Sequence, residues 1–567
     1  MTLRRSHAVH NAVSLAGLGA SVLLVAHLPA SRYADSDHAR GDFHCHLCVL
    51  GPVMKTSLRG TLLEKTPDSV VIETNGVGHA VTVPEAAHHA LPTTGNEARL
   101  FIHTREAQDG ALALRHHPIL LCLPKGMASL PIPAPTYTPE YRTSAKTAIE
   151  TALSRVPAYS TWRRYDRGPS ADIFERYRAM PVLTKADLRE HQPAQFVPEG
   201  RDLALAIARG EVELVQTSGS TSDAVTNVWC QEWWNASEAS SWKLHAATAS
   251  ARLGDHREAI LSSPRCVGFA SDVGYLSMEQ RTLLHYLFLT EKADPAEWSA
   301  TLLDRMIEEL GRFAPTVLEA NPSFLSVLCR HAIKHSRRVF QPAVVTLTYE
   351  NPSLIHLRHI RRIFRCPVIS SYGATESGYV FMQCEAGRLH QNVEQCHVDF
   401  QPLAPRHGGP TVGRILVTTF LNPWRALIRF DMGDLVRLAA GPCPCGRRAG
   451  LVLDAIEGRI ANATLSIAGR LVTQREADAV IAQVDGVDQY ELVLSGAAAV
   501  LVLYVSDTRA PAEIEPELRA SLQQCYGTSV KVILGCVQAL SPVLGVKFRL
   551  ARADFEIDIH DFLTGSP

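Results

Sequence analysis

No charge of one sign dominates this chain of 567 residues: 56 Lys plus Arg stand against 57 Asp plus Glu, a formal net charge of −1. That balance excludes a chain-wide basic field of the kind that draws proteins to nucleic acid or anionic membrane. Cysteine is sparse, 13 residues scattered over the whole length, which excludes a secreted disulfide framework and leaves at least one thiol unpaired. Long apolar runs are missing as well. The strongest candidate, residues 12–26 behind Arg4 and Arg5, is diluted by Gly and Ser. It falls short of the ~20 residues a transmembrane helix needs. It has the outline of a secretory leader, yet Leu28-Pro29-Ala30 lacks the small-x-small pattern of a cleavage site. The expectation is a cytoplasmic protein that spans no membrane. What is present, 46% apolar and 20% charged residues, is the composition of a globular chain. At roughly 150 residues per domain it has room for three or four domains.

Residues 1–53 read as an irregular leader. His44, Cys45, His46 and Cys48 are crowded enough to raise a metal site, but no distant pair of matching ligands completes it. From residue 54 the texture changes. Residues 70–74 alternate like a strand, Asn75-Gly76 is a strong hairpin signal, and residues 77–83 read as the returning strand. Leu58, Leu62, Val71, Val81, Val83, Leu100 and Ile102 would form the inner face of a small closed sheet. The stretch SLRGTLLEKTPDSVVIETNGVGHAVTVP, followed by ALPTTGNEARLFIHTREAQDGALAL, resembles the first domain of the RuvA Holliday-junction subunit. The resemblance implies an OB-fold barrel over residues 54–122.

It does not imply junction binding here. The helix-hairpin-helix modules that grip the arms in that family are missing, replaced at 123–140 by a Pro-rich linker. Acidic residues slightly outnumber Lys and Arg between 54 and 122, and the family's central acidic residues are only loosely echoed by Glu106 and Asp109. Phe101 is the lone aromatic residue for base stacking. Charge and stacking argue against DNA binding and for a role in docking or oligomerisation.

The remainder alternates helical and strand patterns, as α/β chains do. One helix is expected from Asp294 as cap, with Pro295 in the first turn, Glu297 completing a capping box, and Trp298, Leu302, Met306 and Leu310 on one face. Five short motifs carry chemistry. Thr217-Ser218-Gly219-Ser220-Thr221-Ser222 can wrap a phosphate with N–H and hydroxyl donors. Ser371-Tyr372-Gly373-Ala374-Thr375-Glu376 places a ring, a hydroxyl and a carboxylate together after a strand-like run. Residues 427–434 read as a strand running into an acidic turn that ends at Asp434. Ile456-Glu457-Gly458-Arg459 and Gly545-Val546-Lys547-Phe548-Arg549 complete the series.

In this order the five resemble the adenylate-forming superfamily, and within it phenylacetate-CoA ligase and its relatives. Met180-Pro181-Val182-Leu183-Thr184-Lys185-Ala186-Asp187-Leu188 and the Cys-Pro-Cys-Gly-Arg stretch at 443–447 add to the likeness, which covers about 141–553. It implies an α/β adenylate-forming fold with a large subdomain at 141–458 and a small C-terminal subdomain at 459–567. The small all-β OB-fold barrel would precede it. It also implies activation of an organic, possibly aromatic, carboxylic acid by ATP and Mg²⁺. Transfer to coenzyme A or another carrier thiol would follow.

Carried over by position, Thr217, Ser218, Ser220 and Thr221 would line the phosphate loop. Tyr372 and Gly373 would border the adenine, Thr375 would touch the α-phosphate, and Glu376 would ligate Mg²⁺. Asp434 would take the ribose hydroxyls, Arg459 would flank the swivel, and Lys547 would reach the carboxylate and α-phosphate. Trp233, Trp234, Phe269, Tyr275 and Phe324 are candidates to wall an apolar pocket. Cys384, His390, Cys443 and Cys445 match a zinc donor set, with Cys396 and His397 as substitutes.

Four positions depart from the family pattern. Asp223 stands where a cation is usual in the phosphate loop, which weakens triphosphate binding. Asn462 stands at the swivel aspartate, Leu347-Thr348-Tyr349-Glu350-Asn351 replaces a Gly-rich segment, and Val546 replaces a glycine beside Lys547. They leave open an alternative: a degenerate adenylate-binding protein with an architectural or DNA-associated role through its barrel.

Overall fold

The computed structural model describes residues 58–66, 69–74, 77–82, 93–100, 104–106, 112–114, 134–191, 193–216, 225–250, 256–265, 267, 275–542 and 547–564. Residues 217–224, Phe269 and Val546 therefore lie outside the described residues, as do Asn75-Gly76, Asp109 and the His44 to Cys48 cluster. The chain divides into two compact units, one within Val22–Leu130 and the other within Pro131–Pro567.

In the first unit, β1 (Leu58–Lys65), β2 (Ser69–Thr74), β3 (Val77–Thr82) and β4 (Glu97–Leu100) form an antiparallel sheet in the order β3-β2-β1-β4. A separate hairpin joins β5 (Thr104–Glu106) and β6 (Leu112–Leu114). The expected hairpin is present and Leu62 is buried as expected, but within β2 the inner face has the other parity. Leu62, Val70 and Ile72 are buried, while Val71 is half-buried. The register explains this: Leu62 lies directly opposite Ile72, and opposed residues share a face.

The second unit opens with α1 (Pro139–Arg155), capped by Thr138, and three short helices, α2 (Ile173–Ala179), α3 (Lys185–Glu190) and α4 (Leu203–Ala208). The capping box of α3 pairs Thr184 with Asp187 and so fixes the entry to Lys185. A hairpin of β7 (Glu213–Gln216) and β8 (Thr226–Trp229) leads into α5 (Gln231–Trp242).

A 12-stranded sheet follows. Its strands are β9 (Glu258–Leu261), β10 (Thr282–Leu283), β11 (Tyr286–Phe288), β12 (Val317–Ala320), β13 (Val344–Leu347) and β14 (Val368–Ala374), then β15 (Gly378–Gln383), β16 (Leu389–Gln391), β17 (Cys396–Pro402), β18 (Val412–Thr419), β19 (Phe430–Leu438) and β20 (Val452–Arg459). The order is β10-β11-β9-β12-β13-β14-β15-β16-β20-β19-β18-β17. Strands β11, β9, β12, β13 and β14 are parallel, and everything from β15 onward is antiparallel.

Three helices cover one face of the parallel half: α6 (Ala300–Phe313), α7 (Pro322–Lys334) and α8 (Leu354–Ile363). Helix α6 begins later than the sequence suggests. Asp294 caps only a single 3₁₀ turn at Pro295–Glu297, Trp298 is extended, and Ser299 is the cap that accepts from the Leu302 N–H. The expected apolar face, Leu302, Met306 and Leu310, is buried.

Beyond β20 a short hairpin pairs β21 (Thr464–Leu465) with β22 (Leu471–Val472). A second sheet, of β23 (Gln489–Ser495), β24 (Ala499–Val505), β25 (Lys531–Cys536) and β26 (Ala551–Ala553), has the order β25-β24-β23-β26. It shares a core with α9 (Gln474–Ile481), α10 (Pro511–Tyr526) and Ile355 of α8. Polar contacts tie it to the helices of the large sheet. Asp488 pairs with His359 at 3.0 Å, Asp507 with Arg330 at 2.7 Å, and Asp478 accepts the Leu354 N–H at 2.7 Å. Among the described residues no helix is long and apolar enough to cross a membrane.

Candidate active site

Where β14 gives way to β15, the sheet changes from parallel to antiparallel pairing, and the tight turn there holds Thr375 and Glu376. The turn lies at the carboxyl end of β14, and the carboxyl ends of parallel strands are where open α/β sheets bind ligands. The turn explains Gly373: a Cβ there would lie 2.2 Å from the Gly378 carbonyl oxygen, so only glycine allows the approach. Tyr372 lies in the last part of β14, two residues before its end, with its hydroxyl donating to Asp434 Oδ2 at 2.8 Å. Asp434 lies inside β19, not in a turn after it, and stands in register with Arg459 of β20, whose Nε is 3.9 Å from Asp434 Oδ1. Tyr372, Asp434 and Arg459 are therefore brought together across three strands. Burial, with Asp434 beside it, holds the Tyr372 phenol well above its ordinary value.

The Glu376 side chain is only 3% exposed, and its Oε1 faces Lys185 Nζ at 3.5 Å while making no hydrogen bond. Arg425, itself buried and pushed down to about 10 by that burial, adds a second positive charge near Glu376. With Oε1 free of hydrogen bonds but paired with Lys185, and Arg425 close by, Glu376 would hold Mg²⁺ only together with substrate phosphates, which is how Mg²⁺ is usually held. Sequence reasoning quoted Lys185 without a role and missed Arg425. The capping box that aims α3 was the available signal for Lys185.

The segment carrying Lys547 is held at Glu350. The Phe548 N–H donates to Glu350 Oε2 at 3.1 Å, and the Ser323 N–H donates to Glu350 Oε1 at 3.2 Å. Burial raises the Glu350 carboxyl, and the nearby Lys547 charge draws it back. The residue that departs from the family's Gly-rich segment is thus the one that receives the Lys547 segment. Thr217, Ser218, Ser220 and Thr221 lie outside the described residues, flanked by β7 and β8. The aromatic residues named from sequence are not gathered. Trp233 and Trp234 pack with α4 and β8, Phe324 belongs to the core beneath α7, and Tyr275 is 62% exposed.

The four thiol and imidazole residues do converge. The ligand atoms of Cys384, His390, Cys443 and Cys445 all lie within 4.8 Å of one another. Cys384 Sγ is 3.6 Å from Cys443 Sγ, and Cys445 Sγ is 3.3 Å from His390 Nε2. A zinc tetrahedron with ~2.3 Å Zn–S bonds has S···S edges of about 3.7 Å, close to the Cys384–Cys443 separation, so the donor chemistry and spacing fit zinc. The neighbouring Cys443 thiol holds Cys384 below its ordinary value. Arg447 clasps Glu385 beside the cluster at 2.6 and 3.1 Å. The substitutes lie elsewhere: Cys396 is in an apolar core, and His397 Nδ1 bonds the Tyr141 hydroxyl at 2.6 Å.

Comparison with known proteins treats the two units differently. Residues 54–114 match the family model of the RuvA N terminal domain. The chain is 47% identical over 57 residues to the Holliday junction branch migration complex subunit RuvA of Halorhodospira halophila, 10% of this chain and 28% of that protein. To the same subunit of Sodalis glossinidius it is 47% identical over 55 residues, 10% of this chain and 27% of that one. The chain thus spans little more than a quarter of the length of these curated relatives. For the larger part, two crystal structures of a 2-hydroxyisobutyryl-CoA ligase in the postadenylation state are similar. The complex with R3-HIB-AMP gives a TM-score of 0.54 at 16% identity, covering 74% of this chain and 88% of that one. The complex with 2-HIB-AMP gives 0.51 at 16% identity, covering 74% and 87%. At that identity the likeness establishes the fold alone: the larger part has the α/β fold of that CoA ligase, with a RuvA-like region ahead of it.

Proposed function

We propose that this protein activates an organic carboxylic acid with Mg²⁺-ATP as an acyl-adenylate and passes the acyl group to coenzyme A or a carrier thiol, as a phenylacetate-CoA ligase-like acid–thiol ligase. The observation that carries the reading is the meeting of Tyr372, Asp434 and Arg459 beside the Glu376 turn, on this fold. Tyr372 and Gly373 border the adenine, Asp434 takes the ribose hydroxyls, and Thr375 approaches the α-phosphate. A carboxylate oxygen of the acid attacks the α-phosphorus, the bond to the bridging oxygen breaks, and pyrophosphate leaves with that electron pair. Mg²⁺ would be held by Glu376 and would neutralise charge accumulating on the phosphates. Lys547 stabilises the same charge from the C-terminal segment, and Thr217, Ser218, Ser220 and Thr221 hold the β- and γ-phosphates.

The reading divides the chain at 458/459 into a large and a small subdomain, Arg459 flanking the swivel, with the barrel at 54–122 as a docking or oligomerisation module. ATP–pyrophosphate exchange across a panel of acids, aromatic acids included, tests it. Exchange that requires Mg²⁺ and falls with Glu376→Gln is expected. Silence across the panel with no ATP bound would favour the architectural alternative.

Zinc belongs to the same reading, held by Cys384, His390, Cys443 and Cys445 as a structural ion. Metal analysis should give about one zinc per chain, and Cys443→Ser should lower both the metal content and the melting temperature. A metal-free protein with unchanged melting would contradict this.

A further inference from the structure

One group of buried ionisable side chains has no part in the scheme above. Glu258 and Glu319 are 0% and 2% exposed, on the face of the large sheet turned away from α6, α7 and α8. Residues two apart on a strand share a face, so Glu258 and Ile260, Val317 and Glu319, Thr346, and Ile369 and Ser371 form one surface through the register of β9, β12, β13 and β14. Tyr286 of β11 lies opposite Glu258 and feels the charges of Glu258, Glu238 and Glu319 together. Glu238, from α5, accepts the Tyr379 hydroxyl at 3.1 Å. Tyr379 is in turn the register partner of Gly373 in the nucleotide motif.

Glu258 and Glu319 have few partners. Glu258 Oε2 meets His256 Nε2 at 3.0 Å, and Glu319 Oε1 accepts the Tyr349 hydroxyl at 2.5 Å. Among the described residues neither Glu258 nor Glu319 pairs with lysine or arginine, and Glu258 Oε1 and Thr346 Oγ1 have no hydrogen bond at all. Thr346, 6% exposed, stands directly beside Glu319 in the register, so an unused buried hydroxyl points into the same place as the acids. An uncompensated buried carboxylate is unfavourable by several kcal/mol, and burial holds both carboxyls well above their ordinary values. Tyr349 adds to this: a non-glycine residue at φ 71°, a strained conformation, sets its phenol against Glu319. Glu319 and Thr346 sit one residue before the carboxyl ends of β12 and β13, and Glu258 opens β9 deeper under the same face. The carboxyl ends of parallel strands are where α/β folds bind ligands.

We propose that Glu258 and Glu319, with Glu238, form the end of the acid-binding pocket and receive a cationic nitrogen, so that the acid activated carries an ammonium or guanidinium group. This names the substrate class of the adenylation reaction and rests on that reading. A cation bound there would favour the ionised carboxylates that burial alone disfavours, beside the His256 imidazole that already meets Glu258, and Thr346 accepts one of its N–H groups. The three carboxylates come from β9, β12 and α5, so they favour a substrate whose cation lies well away from the carboxyl group at Thr375 and Glu376.

The test compares 5-aminopentanoate with its isosteres hexanoate and 5-hydroxypentanoate, in pyrophosphate exchange and, without ATP, in ligand-induced thermal shift. The amino acid should exceed both isosteres, and Glu319→Gln should lower that preference by roughly tenfold to hundredfold, the range for losing a charged hydrogen bond. Glu258→Gln serves in the same way if Glu319→Gln does not fold. Equal or better exchange with hexanoate or the hydroxy acid would overturn the proposal. No exchange with any acid, but a thermal shift confined to the amino acid and lost in the Gln variants, would sustain the subsite while the adenylation reading fails. Neither exchange nor shift would sink both.

Discussion

The two faces of the parallel half-sheet are built from the same strands yet obey different rules. On one, Ala259, Leu261, Leu318, Ala320, Val345 and Leu347 meet Leu302, Met306, Leu310, Phe324 and Leu328 of the covering helices in a continuous apolar core. On the other, apolar patches around Trp242, Val317, Val344 and Ile369 are interrupted by Glu258, Glu319 and Thr346. Successive residues of one strand thus alternate between a face that stabilises and a face that holds polar groups at a loss. Stability alone would have filled both faces alike. The polar face reaches the Tyr372 to Glu376 motif, through Ser371 before Tyr372 and through Tyr379 opposite Gly373, and the proposed function would account for the difference.

The largest effect that would break this comparison is on the apolar side. Leu318→Ala, at a fully buried position, should lower unfolding free energy by about 2–5 kcal/mol in denaturant titration. Glu319→Gln, one residue along, should leave stability unchanged or raise it, because the isosteric amide removes a carboxyl whose charging is unfavourable there. Equal losses in the two variants would mean that the polar face is structural.

The next effect concerns the segment that joins the faces to the C-terminal body. Phe548 packs edge-on to Phe324 of the apolar core, with ring centroids 6.4 Å apart, while Lys547 lies near Glu350. Lys547→Ala should slow adenylate formation on the order of hundredfold, as expected for loss of a preorganised charge stabiliser. The same variant given preformed acyl-adenylate should make thioester at a near-normal rate if, as proposed, the small subdomain turns another side to the site for that step. Equal loss in both half-reactions would make Lys547 structural. No loss in either would move the catalytic charge elsewhere, with Lys531 the next to test.

The smallest effect is a slope. Burial raises the Glu258 and Glu319 carboxyls in the folded state, with His256, Tyr286, Tyr349 and Glu238 the polar groups around them. A folded carboxyl that titrates above its unfolded value of 4.5 keeps its proton longer in the native state. Its contribution to stability is complete below that value and is lost as pH rises through the folded one. Unfolding free energy should therefore fall with pH above 4.5 more steeply in the wild type than in the Glu258→Gln/Glu319→Gln variant, by up to about 1.4 kcal/mol per pH unit for each extra proton held. Parallel curves would contradict the raised values.

What the sequence made legible was what is contiguous in it. The Tyr372 to Glu376 turn, the Lys185 lead-in and the Asp434 strand are each a handful of neighbouring residues whose types state their chemistry, and the zinc set could be read from spacing plus family likeness. What stayed hidden is assembled across the fold. Glu238, Glu258 and Glu319 come from a helix and two strands far apart in the chain, and nothing in their local contexts marks them as buried. The parity of β2 failed because it depends on which residue of β1 it meets, and α6 began late because Ser299 was the better-placed cap. The aromatic candidates were not gathered either: Phe324 lies in the core under the covering helices and Tyr275 is exposed, a difference that composition does not reveal.

The central claim is that a carboxylate oxygen attacks the α-phosphorus of ATP. It is tested most directly by following that oxygen. With an acid labelled with oxygen-18 in its carboxyl group, turnover to the thioester should leave one labelled oxygen in AMP, because the acyl C–O bond breaks while the P–O bond formed in the first step survives. Label appearing in inorganic phosphate, or AMP released without label, would contradict the account.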